Sequence, residues 1–143
     1  MKIQFASDLH LEFPRISNMD PLDETDADLI VLAGDIHKHT KGIDYAARLA
    51  ESRGVPVIYV AGNHEYYEQE YFHTLQAMRD EAAKHENVHF LENGALVVGD
   101  TRFLGCTLWT DFTGDGSISV ERNVYVARGG LMDFKLIRYD ERK

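Results

Sequence analysis

Asp8 and His10, then Gly34 and Asp35, then Gly62, Asn63, His64 and Glu65 gather the residue types of a metal centre into three short clusters. Two carboxylates, two imidazoles and a carboxamide are hard and borderline donors, suited to divalent first-row cations. Singly, each cluster is ordinary. Asp-x-His occurs by chance, Gly-Asp after a strand is commonly a turn, and Asn-His in a loop is commonly solvated. Together they are not ordinary, because each directly follows an apolar run. Asp8 and His10 are two residues apart, so an extended exit from the first run would point both side chains the same way. Gly34 and Gly62 allow the backbone to come close just before a ligand.

The apolar runs Ile3 to Ala6, Leu29 to Ala33 and Val57 to Ala61 are rich in Ile and Val and too short for helices, which predicts buried strands. Between the second and third, Ile43, Ala46, Ala47, Leu49 and Ala50 recur at helical spacing before Gly54 and Pro56, which predicts a βαβ unit with parallel strands. Ligands of open α/β sheets bind beyond the carboxyl ends of the strands, so the three clusters should converge there. A longer helix, about Glu68 to Lys84, places Tyr71, Leu75, Met78 and Ala82 on one face. Beyond Asn87 the texture becomes β-rich: Val88 to Leu91, Ala95 to Val98 and Arg102 to Leu108, separated by the turn pairs Asn93-Gly94 and Gly99-Asp100. That pattern predicts antiparallel strands after the parallel ones. A helical segment from about Ser117 to Val126 follows the loop Trp109 to Gly116, and Phe134 to Tyr139 reads equally as a strand or a helix start. The fold class is α/β.

Composition narrows the partners. The 143 residues suit a single domain over residues 1–143, and 44% hydrophobic content is that of a globular chain. Fifteen Lys and Arg against 24 Asp and Glu give a net charge of −9, which disfavours long nucleic acid and anionic membranes as partners. An anionic substrate would then need metal cations beside it. Cys106 is the one cysteine, which excludes an intrachain disulfide and fits a reducing, cytoplasmic setting. Asp8 and His10 arrive before any signal-peptide core develops, and no stretch approaches the ~18 apolar residues of a membrane span.

In their order, Asp8-Leu9-His10, Gly34-Asp35 and Gly62-Asn63-His64-Glu65 resemble the signature of the calcineurin-like metallophosphoesterases, strongly over Lys2 to about Glu65. Gly105 to Asp111 is similar to the mid-chain segment of a bacterial branch of that family. The resemblance implies an αββα sandwich, here partial, and metal-dependent phosphoester hydrolysis at a dinuclear centre with a bridging hydroxide as nucleophile. It implies Asp8 and His10 as ligands of a first metal, Asp35 as the carboxylate shared by both, and Asn63 as a ligand of the second. His64 would be the catalytic histidine that meets the phosphate and assists the leaving group. Two divalent cations ~3.5–4 Å apart suit such chemistry, since they acidify a shared water and clamp phosphoryl oxygens. Mixed N/O ligands accept Mn, Fe, Zn, Co or Ni. Phosphomonoesters, cyclic nucleotides, nucleotide anhydrides and oligonucleotides all suit the centre, and fold does not choose among them.

The chain also departs from the pattern. A lone His and a Gly-His-x-His motif complete both metal sites in the family, whereas here the histidines are His10, His37, His39, His64, His73, His85 and His89, with none later. The second site is therefore expected to be incomplete, and the chain reads as the N-terminal part of a longer enzyme. Its rivals are a truncated or degenerate metal-binding chain without efficient catalysis, and a homo-oligomer in which copies complement one another. His37, His39, Asp111 and Asp115 are candidate substitutes for the late ligands. His73, His85 and His89 read as structural or exposed. Many members carry an Asp three residues after the shared carboxylate, where it orients the catalytic histidine, but here that position is Lys38. Tyr66, Tyr67 and Tyr71 form an aromatic cluster that reads as core before substrate platform.

Overall fold

Short runs crowded with Ile and Val gain most when both faces are covered, and the central strands here are buried in that way. The computed structural model describes residues 1–14 and 20–140. Strands β1 (Ile3–Ala6), β2 (Leu29–Ala33), β3 (Val57–Val60) and β4 (Val88–Phe90) form one parallel sheet in the order β1-β2-β3-β4. Helix α1 (Lys41–Arg53) crosses from β2 to β3 and α2 (Tyr71–Ala82) from β3 to β4.

Alternation along the strands sorts the two faces. Ile30, Leu32, Val57 and Tyr59 meet Ile43, Ala46, Leu49, Leu75 and Met78 from the helices. Ile30, Leu32, Ile43 and Met78 are 1% exposed or less, and burying each such side chain stabilises the fold by about 1.5–3 kcal/mol. Leu29, Val31, Ile58 and Val60 face the other way, toward Leu96, Val98 and Phe103 of the antiparallel hairpin β5 (Gly94–Val98) and β6 (Thr101–Gly105). Among the described residues, cover on this face stops short of β1. Ile3 and Phe5, in register with Leu29 and Val31, are exposed, Phe5 at 79%.

The structure corrects two sequence expectations here. Val88 to Leu91 contributes β4, which pairs parallel with β3, so Asn93-Gly94 joins two different sheets and is not a hairpin turn. Three residues carry too little periodicity to name their partner. Gly99-Asp100 does close the β5–β6 hairpin. The second correction concerns the long helix, which starts later than Glu68. Glu70 is its N-cap, its carboxylate accepting from the amides of Phe72 at 3.1 Å and His73 at 2.6 Å.

Past the hairpin, α3 (Val120–Gly130) begins and ends about one helical turn beyond the expected segment, with Ser119 Oγ capping the amide of Arg122. Phe134 to Tyr139 divides between both readings. α4 (Asp133–Leu136) opens it as a helix, and Arg138 then forms a β-bridge with Glu70. Among the described residues, no helix is long and apolar enough to cross a membrane.

Candidate metal centre

Parallel strands bring their carboxyl ends to one edge, and backbone hydrogen bonds then tie the following loops together. The amide of Asp8 donates to the Gly34 carbonyl at 3.0 Å, that of His10 to Asp35 at 3.0 Å, and that of His39 to Glu65 at 2.9 Å. Gly34 has φ +90°, and a Cβ there would stand 2.8 Å from the Gly62 amide nitrogen. Only glycine permits this approach of the second loop to the third.

Glu65 braces the arrangement from beneath. Its side chain is fully buried, one oxygen accepting from the amides of Asp35 (3.1 Å) and Gly62 (2.8 Å), the other from the amide of Ile36 (2.9 Å) and the Tyr59 hydroxyl (2.7 Å). Burial pushes its carboxyl up, opposed by those donors, and burial together with the Glu65 charge raises Tyr59 well above its ordinary range.

Above this brace, ligand atoms of His10, Asp35 and His64 all lie within 4.8 Å of one another. Asp35 Oδ1 also accepts from the His64 amide at 3.0 Å, so the second and third clusters are locked together. Asp8 stands at the rim, its Oδ1 3.9 Å from His10 Nε2 and its side chain 67% exposed. Asp8 and His10 do not leave β1 extended. Asp8, His10 and Asp35 have φ of +56°, +46° and +55°, the left-handed region that non-glycine residues enter at a cost.

Asn63 sits beside the group. Its Nδ2 donates to the Tyr67 hydroxyl at 2.8 Å and to Asp133 Oδ1 at 2.7 Å, which turns its amide oxygen away from both. Burial, then the charge of Asp133, raises the Tyr67 hydroxyl. Tyr67 is 8% exposed with its ring 4.3 Å from that of His64, while Tyr66 is fully buried and stacks on Tyr71 at 4.6 Å. The aromatic cluster is thus mostly core, with Tyr67 walling the site.

Sequence reasoning passes over Glu12 and Asp133. Glu12 Oε1 is 2.8 Å from His64 Nδ1 and 3.3 Å from His10 Nδ1. Burial works to raise its carboxyl, but its own backbone amide and the two imidazoles outweigh that and hold it below the ordinary 4.5. The signal for Glu12 was its place two residues after His10, extending Asp-x-His by one more alternate position. Asp133 is 70 residues from its partner Asn63, and no local pattern marks it.

The candidate substitutes mostly serve elsewhere. His39 Nε2 meets the Tyr67 carbonyl at 2.8 Å. Asp111 and Asp115 are exposed and close local turns onto Thr113 and Ser117. His37 Nδ1 is buried with no hydrogen-bond partner among the described residues, and burial, then the charge of Lys41, lowers its pKa. Lys38 pairs with Glu68 at 2.8 Å, on the outside.

A model of the calcineurin-like phosphoesterase family matches residues 1–141, so the chain belongs to that family, a class of metal-dependent phosphoester hydrolases. Its fold is similar to that of the phosphopantetheinyl hydrolase from Mycobacterium tuberculosis, with a TM-score of 0.70 at 20% identity. The superposition covers 96% of this chain and 55% of that one. At this identity the likeness is one of fold. A search of curated proteins returns no match. The donor set of His10, Asp35 and His64 fits the divalent ions on which the family depends.

Proposed function

We propose that the chain hydrolyses small-molecule phosphoesters at a two-metal centre, with Asp8, His10 and Asp35 holding the first ion and Asp35 and Asn63 the second. The observation that carries this reading is the convergence of His10, Asp35 and His64 within 4.8 Å at the carboxyl ends of β1, β2 and β3. When bound, the ions would supply Lewis-acid charge and acidify a water into the hydroxide that attacks phosphorus.

The chain's own residues do the rest. Asp35 lies between the other two clusters, so its carboxylate can offset the charge of both ions. Asn63 turns its amide oxygen away from Tyr67 and Asp133, leaving a neutral donor for the second ion. Asp133 accepts from Asn63 Nδ2 at 2.7 Å and so holds that amide with its oxygen free for the ion. His64 has Nδ1 engaged by Glu12, so Nε2 is the atom that can meet a phosphoryl oxygen and pass a proton to the leaving alkoxide or phenoxide. The net charge of −9 makes the cations necessary for gathering a phosphate dianion.

A second reading, in which activity requires an assembly of copies, is favoured by the bare inner face of β1 at Ile3 and Phe5. Turnover of an aryl phosphate with Mn2+ and after chelation, followed across protein dilution, tests both. Constant specific activity that chelation abolishes supports a competent monomer, and activity falling on dilution supports the assembly. No turnover at any concentration or with any of the candidate metals overturns the hydrolase reading.

A further inference from the structure

Two glutamate side chains are enclosed at this site, and they are used in opposite ways. Glu65 has both oxygens saturated by backbone amides and a tyrosine, as a structural brace should. Glu12 has a side chain only 7% exposed, yet it sends one oxygen to two imidazoles and leaves Oε2 buried without a hydrogen-bond partner among the described residues. A buried carboxylate oxygen without a donor is destabilising, so stability alone is a poor reason to keep a carboxylate there.

We infer that Glu12 is a positioning residue that fixes the tautomer and orientation of His10 and His64 at once, through Oε1. This deepens the phosphoesterase reading and rests on it. An ionised carboxylate only accepts, so a ring nitrogen bonded to it must carry the hydrogen. Both rings therefore hold their proton on Nδ1 and turn the Nε2 lone pair outward. For His10, that prepares Nε2 as a metal ligand with its other nitrogen anchored, the usual support of a ligating histidine. For His64, it prepares Nε2 for the phosphate and the leaving group. The rings also touch, with centroids 4.4 Å apart in an edge-on arrangement, so a single carboxylate sets both planes. Lys38, engaged with Glu68, leaves the task to Glu12.

The test reads tautomers first. In the metal-free chain with 15N-labelled histidine, above the imidazole titration range, His10 and His64 should both show the Nδ1–H form. In Glu12→Ala both should revert toward the Nε2–H form that free imidazole prefers. Glu12→Gln, whose amide oxygen still accepts, should restore Nδ1–H. With metal and aryl phosphates, Glu12→Ala should lower kcat roughly 10–100-fold with little change in KM, most for poor leaving groups. Nε2–H on either ring of the wild-type chain, or unchanged tautomers in a folded Glu12→Ala, would overturn the inference. If Glu12→Ala does not fold, the wild-type spectrum decides alone. Absence of phosphoester turnover by the wild type would sink the hydrolase reading and leave the spectrum to judge Glu12 by itself.

Discussion

Residues 22–91 and the stretch beyond the hairpin are held by different forces. The first contain all the buried apolar side chains of the described core, from Leu22 to Leu91, layered between helices and hairpin. In α3 and α4 no residue is buried, and Leu108 and Tyr125 are 90% and 73% exposed. The C-terminal stretch is fastened mainly by polar contacts near the site, with Ile137 reaching the core and Tyr139 resting on Tyr71 and Phe72. The amide of Glu68 donates to the Leu136 carbonyl at 2.7 Å, that of Tyr71 to Arg138 at 2.8 Å, and that of Arg138 to Gln69 at 2.9 Å, while Asn63 grips Asp133. Hydrophobic burial builds the platform, and a few directed bonds bring a later segment to the place where the chemistry would occur. Substitutions in the two regions should therefore fail in different assays.

The largest effect is expected at Asp35, which joins both regions of chemistry. Asp35→Asn keeps an oxygen for the His64 amide but loses the charge that would neutralise two cations. Turnover should fall roughly 1,000-fold or more, and metal content should fall with it, as read by atomic absorption and an aryl phosphate assay. Full metal stoichiometry with a normal rate would end the two-metal reading.

Glu65→Gln probes the platform. Its amide nitrogen would face two donors in place of an acceptor, so urea denaturation should show a loss of roughly 2–5 kcal/mol. Across the divide, Asp133→Ala should cost less than about 1 kcal/mol of stability while weakening binding of the second metal ~10–100-fold in a calorimetric titration with Mn2+. A large stability loss with unaltered metal binding would reverse the contrast between the regions. The smallest effect belongs to Tyr125→Ala on α3, expected within about 0.5 kcal/mol by the same denaturation measurement.

How much of this was legible beforehand follows the same divide. β1 and β2 were read to their end residues and β3 to within one, because Ile- and Val-rich runs bounded by polar residues leave little alternative. The convergence of the three clusters was legible for the same reason, since parallel strands share an edge. β4 was not, because its direction depends on α2 carrying the chain back along the sheet. Glu12 and His64 are 52 residues apart in sequence, and their meeting depends on how the loops after β1 and β3 fold over the sheet edge. The sequence reads Tyr67 as core because an aromatic at a helix start usually is, and it serves core and site together.

The left-handed conformations of Asp8, His10 and Asp35 carry a consequence for engineering. A left-handed backbone costs a residue with a Cβ up to about 1–3 kcal/mol, less for Asp and His than for bulkier types, and a glycine would recover part of it. Three positions of the proposed ligand set are thus points where thermal robustness and chemistry pull apart. A library screened for heat resistance alone would enrich glycine at these sites, at Asp8 soonest because it is the most exposed, and its best survivors would be inert.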